Sequence, residues 1–393
     1  MKRLFVVTAI SLICFCMLTS TTTNAQSAFN FEPGGPYAVS GLPVAIVAGD
    51  FDGTGTPDLA VANSGSVNSI SILLGNGDGT FQDAMSFNGG NGPTMLATGD
   101  FNRDGNTDLV GSALRFDLMV YLGNGDGTFQ QPRILRSVAD VTKEIIVRDF
   151  NNDGADDLAV GFNASYGQED AWLRVFLGNG DGTFQLPIKK FLGRMMRWLT
   201  VGDFNGDSQH DLAWTSWISS DVVTLFGIGD GTFQTNQAVW IGGSGRMVVA
   251  TDLNNDTGTD LAAIVANSFG YVAPLLNQGA GNFFFAPNSQ TGANPSVVVT
   301  ADFDGDGNAD LAMDTNRNGS DSLTFMRGDG TGSFSSVSTQ PAGGSPWRFV
   351  TADLDANGGT DLAVVNYHQN TVTVLLNRAK SQQVIGKGGI PGR

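Results

Sequence analysis

Asp100-Phe101-Asn102-Arg103-Asp104-Gly105-Asn106-Thr107-Asp108-Leu109 places oxygen-bearing side chains at positions one, three, five and nine of a short segment, with glycine at the sixth. Glycine there admits the left-handed backbone that a sharp reversal needs. The same pattern, with Asp first and ninth, Asp or Asn third and Leu tenth, restarts at Asp50, Asp149, Asp203, Asp252, Asp302 and Asp353. Successive copies lie 50, 49, 54, 49, 50 and 51 residues apart. So regular a period marks an internal repeat, which must be read before anything else.

Between the copies a second pattern, Gly-x-Gly-Asp-Gly-x-Phe, ends at Phe81, Phe129, Phe184 and Phe233, with degenerate versions ending at Phe283 and Phe334. Each period holds four short β-prone runs. In the second repeat these are Met95 to Thr98, Asp108 to Val110, Leu118 to Tyr121 and Thr128 to Gln130. Runs at this pace, separated by turn signals and without helical periodicity, indicate an all-β fold. About 50 residues and four strands per unit is the pace of a propeller blade. Seven separate domains are excluded, because one such sheet cannot bury its own faces. The expected fold is a seven-bladed β-propeller of four-stranded antiparallel blades over residues 29–377.

Spacing also predicts how the ring closes. Each Phe of the glycine-rich pattern stands 19 or 20 residues before the next Asp loop, and Phe31 stands 19 before Asp50. The seventh repeat stops at Leu376-Asn377 without a fourth strand, so the segment from Phe31 to Val39 is expected to supply it. That arrangement leaves no open edge between the first and last units.

Composition bounds the surroundings. With 41% apolar residues and 26 Phe among 393 residues, the chain can bury a large core. A formal charge of −17 argues against nucleic acid as partner, since phosphates need a basic groove. Lys2 and Arg3, the apolar run Leu4 to Leu18 and Thr23-Asn24-Ala25 read as a signal peptide over residues 1–25. Its removal takes both cysteines, Cys14 and Cys16, and moves the charge from −17 to −19. A secreted protein, extracellular or periplasmic and monomeric, is expected. No membrane insertion follows cleavage, and residues 378–393, around Gly386-Lys387-Gly388-Gly389, form a flexible tail.

Oxygen ligands at positions one, three, five and nine, with a backbone carbonyl at seven, suit a hard cation. The candidate ligands are Asp50, Asp52, Thr54 and Asp58; Asp100, Asn102, Asp104 and Asp108; Asp149, Asn151, Asp153 and Asp157; and Asp203, Asn205, Asp207 and Asp211. The last three loops offer Asp252, Asn254, Asp256 and Asp260; Asp302, Asp304, Asp306 and Asp310; and Asp353, Asp355, Asn357 and Asp361. Calcium is favoured over magnesium, because a flexible carboxylate cage tolerates six to eight ligands. Up to seven ions would bring −19 to about −5. By this reading the sixth loop is richest and the first, with Thr54, weakest. Metal-free Asx-turns are the alternative, disfavoured because three or four carboxylates within nine residues repel one another.

Together, the segment Asp100 to Leu109 and the turn Gly123-Asn124-Gly125-Asp126-Gly127-Thr128-Phe129 resemble the FG-GAP/VCBS repeat family, to which integrin α-subunit heads belong. The resemblance implies an integrin-α-like propeller with calcium between the first and second strands of its blades, on the lower face. Without the Gly-Ala-Pro triplet of the integrin version, it implies no integrin-like partner.

If the Asp loops join first to second strands, the opposite, upper face carries the residues five or six before each loop. There stand Lys143, Arg197, Arg246 and Arg348, with Trp198 and Trp347. Loops between second and third strands bring Phe116, Tyr166, Trp217, Phe269, Tyr367 and His368 to the same face. Aromatic platforms beside bidentate cations suit a glycan, a uronate above all. Lys143, Arg197, Arg246, Arg348, Tyr166, Trp217 and Tyr367 are the candidate ligand residues; packing between blades is the alternative reading of them. Partners would be a glycan or an extracellular protein. Catalytic signals are sparse: two histidines, no serine-nucleophile elbow and no His-Glu-x-x-His. Two rivals stay open beside a noncatalytic binding or adhesion module. One is a polysaccharide lyase using His368, Tyr367 and Arg348, and the other a scaffold in an extracellular assembly. Arg327-Gly328-Asp329 reads as a variant of the glycine-rich turn, not as a recognition tripeptide.

Overall fold

Strands sandwiched between neighbouring blades should be buried throughout, and the second strands are. Asp58–Asn63, Asp108–Ala113, Asp211–Ser216 and Asp361–Asn366 are buried at every residue. Outer strands such as Phe233–Trp240 alternate, burying one side only. The computed structural model describes residues 29–65, 67–113, 117–136, 140–164, 169–266, 270–291, 295–314 and 321–379. Residues 1–28, which include the expected signal peptide, and residues 380–393 of the expected tail lie outside them.

Seven antiparallel sheets form, six of them following chain order from the axis outward and the seventh taking its outer strand from the N-terminal segment. Blade 2, for example, comprises Pro93–Gly99, Asp108–Ala113, Asp117–Tyr121 and Arg133–Arg136. The first strands of successive blades neighbour one another all round, Pro346–Ala352 of blade 7 meeting Pro43–Gly49 of blade 1. No helix among the described residues is long and apolar enough to cross a membrane.

Closure occurs as the 19-residue spacing predicts. Phe31–Ala38 is the outer strand of blade 7, pairing with Thr371–Asn377 in a register that sets Phe31 opposite Asn377 and Ala38 opposite Thr371. One strand assignment needs correction. Thr128 to Gln130 is not the fourth strand of blade 2; that strand is Arg133–Arg136. Asp126 holds the Thr128 backbone N–H at 3.0 Å, and Phe129 turns inward to Phe51, ring centroids 5.7 Å apart.

The glycine-rich turns do more than reverse the chain. Gly127 N–H donates to the Phe51 carbonyl of the preceding blade at 2.9 Å, Gly182 to Phe101 at 2.8 Å and Gly231 to Phe150 at 3.0 Å. Gly332 reaches Leu253 at 2.9 Å, and Gly79 closes the ring on Leu354 at 3.1 Å. At the two remaining junctions an asparagine side chain substitutes: Asn277 Nδ2 donates to the Phe204 carbonyl at 2.7 Å and Asn377 Nδ2 to that of Phe303 at 2.9 Å. Every blade is thus stapled to the next. Phenylalanines back the staples, with Phe101–Phe184, Phe150–Phe233 and Phe204–Phe283 at 5.6, 5.7 and 5.7 Å. At the closure seam Phe31 takes that place against Phe303, at 5.9 Å.

Position six of all seven Asp loops has positive φ, including Ser208 at 64° and Thr257 at 71°, where glycine is missing. A β-branched residue is costly in that region. Thr257→Gly should therefore raise stability by about 0.5–1 kcal/mol, read as an increased melting temperature.

Candidate functional site

The Asp loops lie at one face, each bridging first and second strands, and their ninth position is unlike the rest. Asp58, Asp108, Asp157, Asp211, Asp260, Asp310 and Asp361 are fully buried. One oxygen of each accepts the backbone N–H of loop position two, the other a backbone N–H at the end of the third strand. For Asp108 the donors are Phe101 at 2.9 Å and Gly123 at 2.7 Å; for Asp361, Leu354 at 2.7 Å and Asn377 at 2.6 Å. This carboxylate is a tie between loop and sheet. Burial pushes Asp58, Asp108, Asp157, Asp211, Asp260 and Asp361 up to about 6 and Asp310 to about 7, the two N–H donors only partly offsetting it.

Positions one and three converge. Asp100 Oδ1 and Asn102 Oδ1 both accept the Asp104 N–H at 3.1 Å, while Asp100 Oδ2 accepts from Gly105 at 3.0 Å. The other loops repeat the position-six contact, as with Asp353 Oδ2 and Gly358 at 2.9 Å. In three loops the carboxylates crowd: oxygens of Asp50, Asp52 and Asp58, of Asp302, Asp304 and Asp310, and of Asp353, Asp355 and Asp361 lie within 4.8 Å of one another. Hard oxygen donors this close, with one carboxyl buried and raised, fit a hard cation. These clusters could hold metal ions. Two also meet arginines: Arg327 Nε donates to Asp304 Oδ2 at 2.5 Å, and Arg378 bonds both Asp355 and Glu32.

On the opposite face the first strands of six blades are bulged at a shared position, while Val298–Ala301 of blade 6 pairs without a shift. Register shifts fall between Pro43 and Ala45, Pro93 and Met95, Thr142 and Glu144, Met196 and Trp198, Gly245 and Val248, and Pro346 and Arg348. Lys143, Arg197, Arg246 and Trp347 are residues at these shifts, and a bulge re-aims its side chain. The guanidinium carbons of Arg197 and Arg246 stand 4.1 and 5.2 Å from the Trp217 ring centroid. Burial and the neighbouring Arg197 charge together lower the Lys143 pKa. Blades 4 and 5 thus bring two guanidinium groups to one indole, and Lys143 of blade 3 lies close enough to feel the Arg197 charge.

Arg348, from blade 7, meets the chain neighbours of those cations instead of Trp217. It stacks on Trp198 at 4.5 Å, and its charge acts on Glu144, whose carboxyl burial pushes up to about 7. Glu144 Oε2 is buried with no hydrogen-bond partner among the described residues. Trp347 stacks on Tyr367 at 4.8 Å and 28°, with exposed His368 against Tyr367 at 5.0 Å. Phe116, Tyr166 and Phe269 lie outside the described residues. A separate cavity of about 310 Å³ opens between blades 1 and 2, lined by Met85, Phe87, Met119, Tyr121, Gln130 and Gln131 among others. None of its lining residues is charged.

Comparison with known proteins bears on the repeats. The FG-GAP-like repeat family matches residues 50–111, 149–214 and 252–313, each stretch running from one Asp loop through the next and into the strand after it. The chain carries FG-GAP-like repeats. No curated protein sequence matches it. Among solved structures, BBS1N in complex with ARL6DN, soaked with lead, is similar at TM-score 0.62 and 12% identity, over 91% of this chain and 100% of that one. The mercury-soaked counterpart gives 0.63 and 12%, over 90% and 99%. At such identity the likeness concerns fold alone.

Within these FG-GAP-like repeats, sequence reading found the loops but not the double backbone tie of position nine; an invariant Asp directly before Leu was its signal. Glu144 was missed as well. Its signal is an acid beside Lys143 at a position that is otherwise apolar or cationic, as in Ala45, Met95, Trp198 and Arg348. Arg327 of Arg327-Gly328-Asp329 is buried, and Asp329 Oδ1 accepts the Thr331 N–H at 2.9 Å, in keeping with a turn.

Proposed function

We propose that this chain is a secreted, calcium-stabilised propeller acting as a noncatalytic binding module for an acidic glycan. Positions one, three, five and nine of the Asp loops, with the backbone carbonyl of position seven, would hold the ions. Calcium would supply the positive charge that lets several carboxylates share one turn. The observation that carries the ligand reading is the stacking of Arg197 and Arg246 on Trp217, with Lys143 near enough for its charge to interact with that of Arg197. An acidic chain has concentrated cations at one aromatic surface, where a carboxylated sugar can stack and pair at once. The Trp347–Tyr367 stack supplies a second platform for a neighbouring sugar.

A binding module predicts that Arg197→Ala with Arg246→Ala weakens binding to polygalacturonate or alginate oligosaccharides at least about 100-fold, two charge-assisted contacts being lost. Calcium-dependent melting should be unchanged. A glycan array, run with calcium and with chelator, makes the measurement; unaltered binding by the double variant would remove the ligand reading. A lyase would instead produce an unsaturated, ultraviolet-absorbing product from these polymers.

A further inference from the structure

We propose that Arg327 is the resident cation of the sixth Asp loop, and that this loop, the richest in carboxylates, stays free of calcium when its neighbours are filled. The inference rests on the reading that the Asp loops bind calcium, and it reverses the ranking that carboxylate count alone suggests. In the other six blades the residue equivalent to Arg327 is apolar: Leu74, Leu122, Leu177, Phe226, Leu276 and Leu376. Each of these packs beneath a glycine of the next blade's turn, as Leu74 does at Gly127 and Leu276 at Gly332. Blade 7 has no such turn, because its outer strand comes from the N-terminal segment. The space is closed instead by Phe29, whose ring centroid is 5.5 Å from the Arg327 guanidinium carbon. With no glycine cap to fill, the side chain at 327 is free to be charged, and it turns onto its own blade's loop.

The pair it forms is sealed. Arg327 Nε meets Asp304 Oδ2 at 2.5 Å, and the side chains are only 8% and 1% exposed. Salt and water do not screen so buried a charge, and arginine does not lose its proton to relieve it. A divalent ion bound at the other oxygen of Asp304 would sit one carboxylate away from a fixed positive charge. Loop seven differs. Arg378 is 35% exposed and divides itself between Asp355 and Glu32, so it is solvated and able to swing aside. Loop one has no arginine on Asp52 among the described residues.

The test is the number of calcium ions bound, by native mass spectrometry of the full mature chain titrated with calcium chloride. Asp100→Asn, at position one of the second loop, should lower the count by one, whereas Asp302→Asn, at the same position of the sixth, should leave it unchanged. Arg327→Leu should raise the count by one, and adding Asp302→Asn to that variant should cancel the gain. Loss of an ion from Asp302→Asn in the native background overturns the proposal, even if Arg327→Leu fails to fold. A chain that binds no calcium at all overturns the underlying reading and the proposal with it, a result distinguishable from the first.

Discussion

Asp108→Ala will destabilise the propeller by about 3–5 kcal/mol even in the presence of a chelator, because it strands two buried backbone N–H groups. Phe101 and Gly123 donate to the two oxygens of Asp108, which is wholly buried, and an alanine leaves neither a partner nor water. Asp108→Asn should fall between, since one acceptor becomes a donor facing a donor. The informative contrast is Asp104→Ala. Asp104 is exposed, and its Oδ1 serves the Asn106 N–H at 2.8 Å at the loop surface. Without metal its loss should cost no more than about 1 kcal/mol. With calcium it should remove one ion's stabilisation. Thermal unfolding of both variants, with and without chelator, separates the tie from the ligand; equal losses in chelator would refute the distinction.

Calcium removal carries the other large effect. An ion at a hundred times its dissociation constant adds about 2.7 kcal/mol, so several filled loops should lower the melting temperature by at least about 10 °C on chelation. The pH dependence of this difference follows from the buried carboxyls. In chelator, the position-nine groups sit at about 6, and Asp310 at about 7, against an ordinary value of 3.8. Between those values the folded chain binds more protons than the unfolded one. Stability is therefore greatest at low pH and falls as pH rises through about 4 to 7. Calcium competes with the proton for these oxygens, so its stabilisation should grow from pH 5 to pH 7.5. Differential scanning calorimetry at both pH values, with calcium and with EDTA, would show the gap widening; a gap that narrows would contradict the sign.

Much of the fold was written in spacing. The interval of 19 residues from Phe31 to Asp50 matched the other Phe-to-Asp intervals, and the two-chain-end blade followed from it because a ring must pair its last edge. Local chemistry announced the Asp loops equally well, since carboxylates in tight succession need a shared counter-charge. What stayed hidden depends on partners distant in sequence. Nothing local shows that Gly127 donates to Phe51, or that Asn277 and Asn377 take over that task where the glycine contact is missing. Arg327 looked like part of a turn, and only burial against Asp304 and Phe29 reveals a charge placed inside a loop. On the upper face, the four cations appeared as one ring. The structure stacks two of them, Arg197 and Arg246, on Trp217 and one, Arg348, on Trp198, with Lys143 beside Arg197 and Glu144 within reach of the Arg348 charge.

Anomalous diffraction from crystals grown with calcium tests the metal assignment most directly. The account predicts peaks in the loops beginning at Asp50, Asp100, Asp149, Asp203, Asp252 and Asp353, about 2.3–2.6 Å from carboxylate oxygens, and none at Asp302. Crystals soaked in calcium that show no anomalous peak in any of these turns would contradict it.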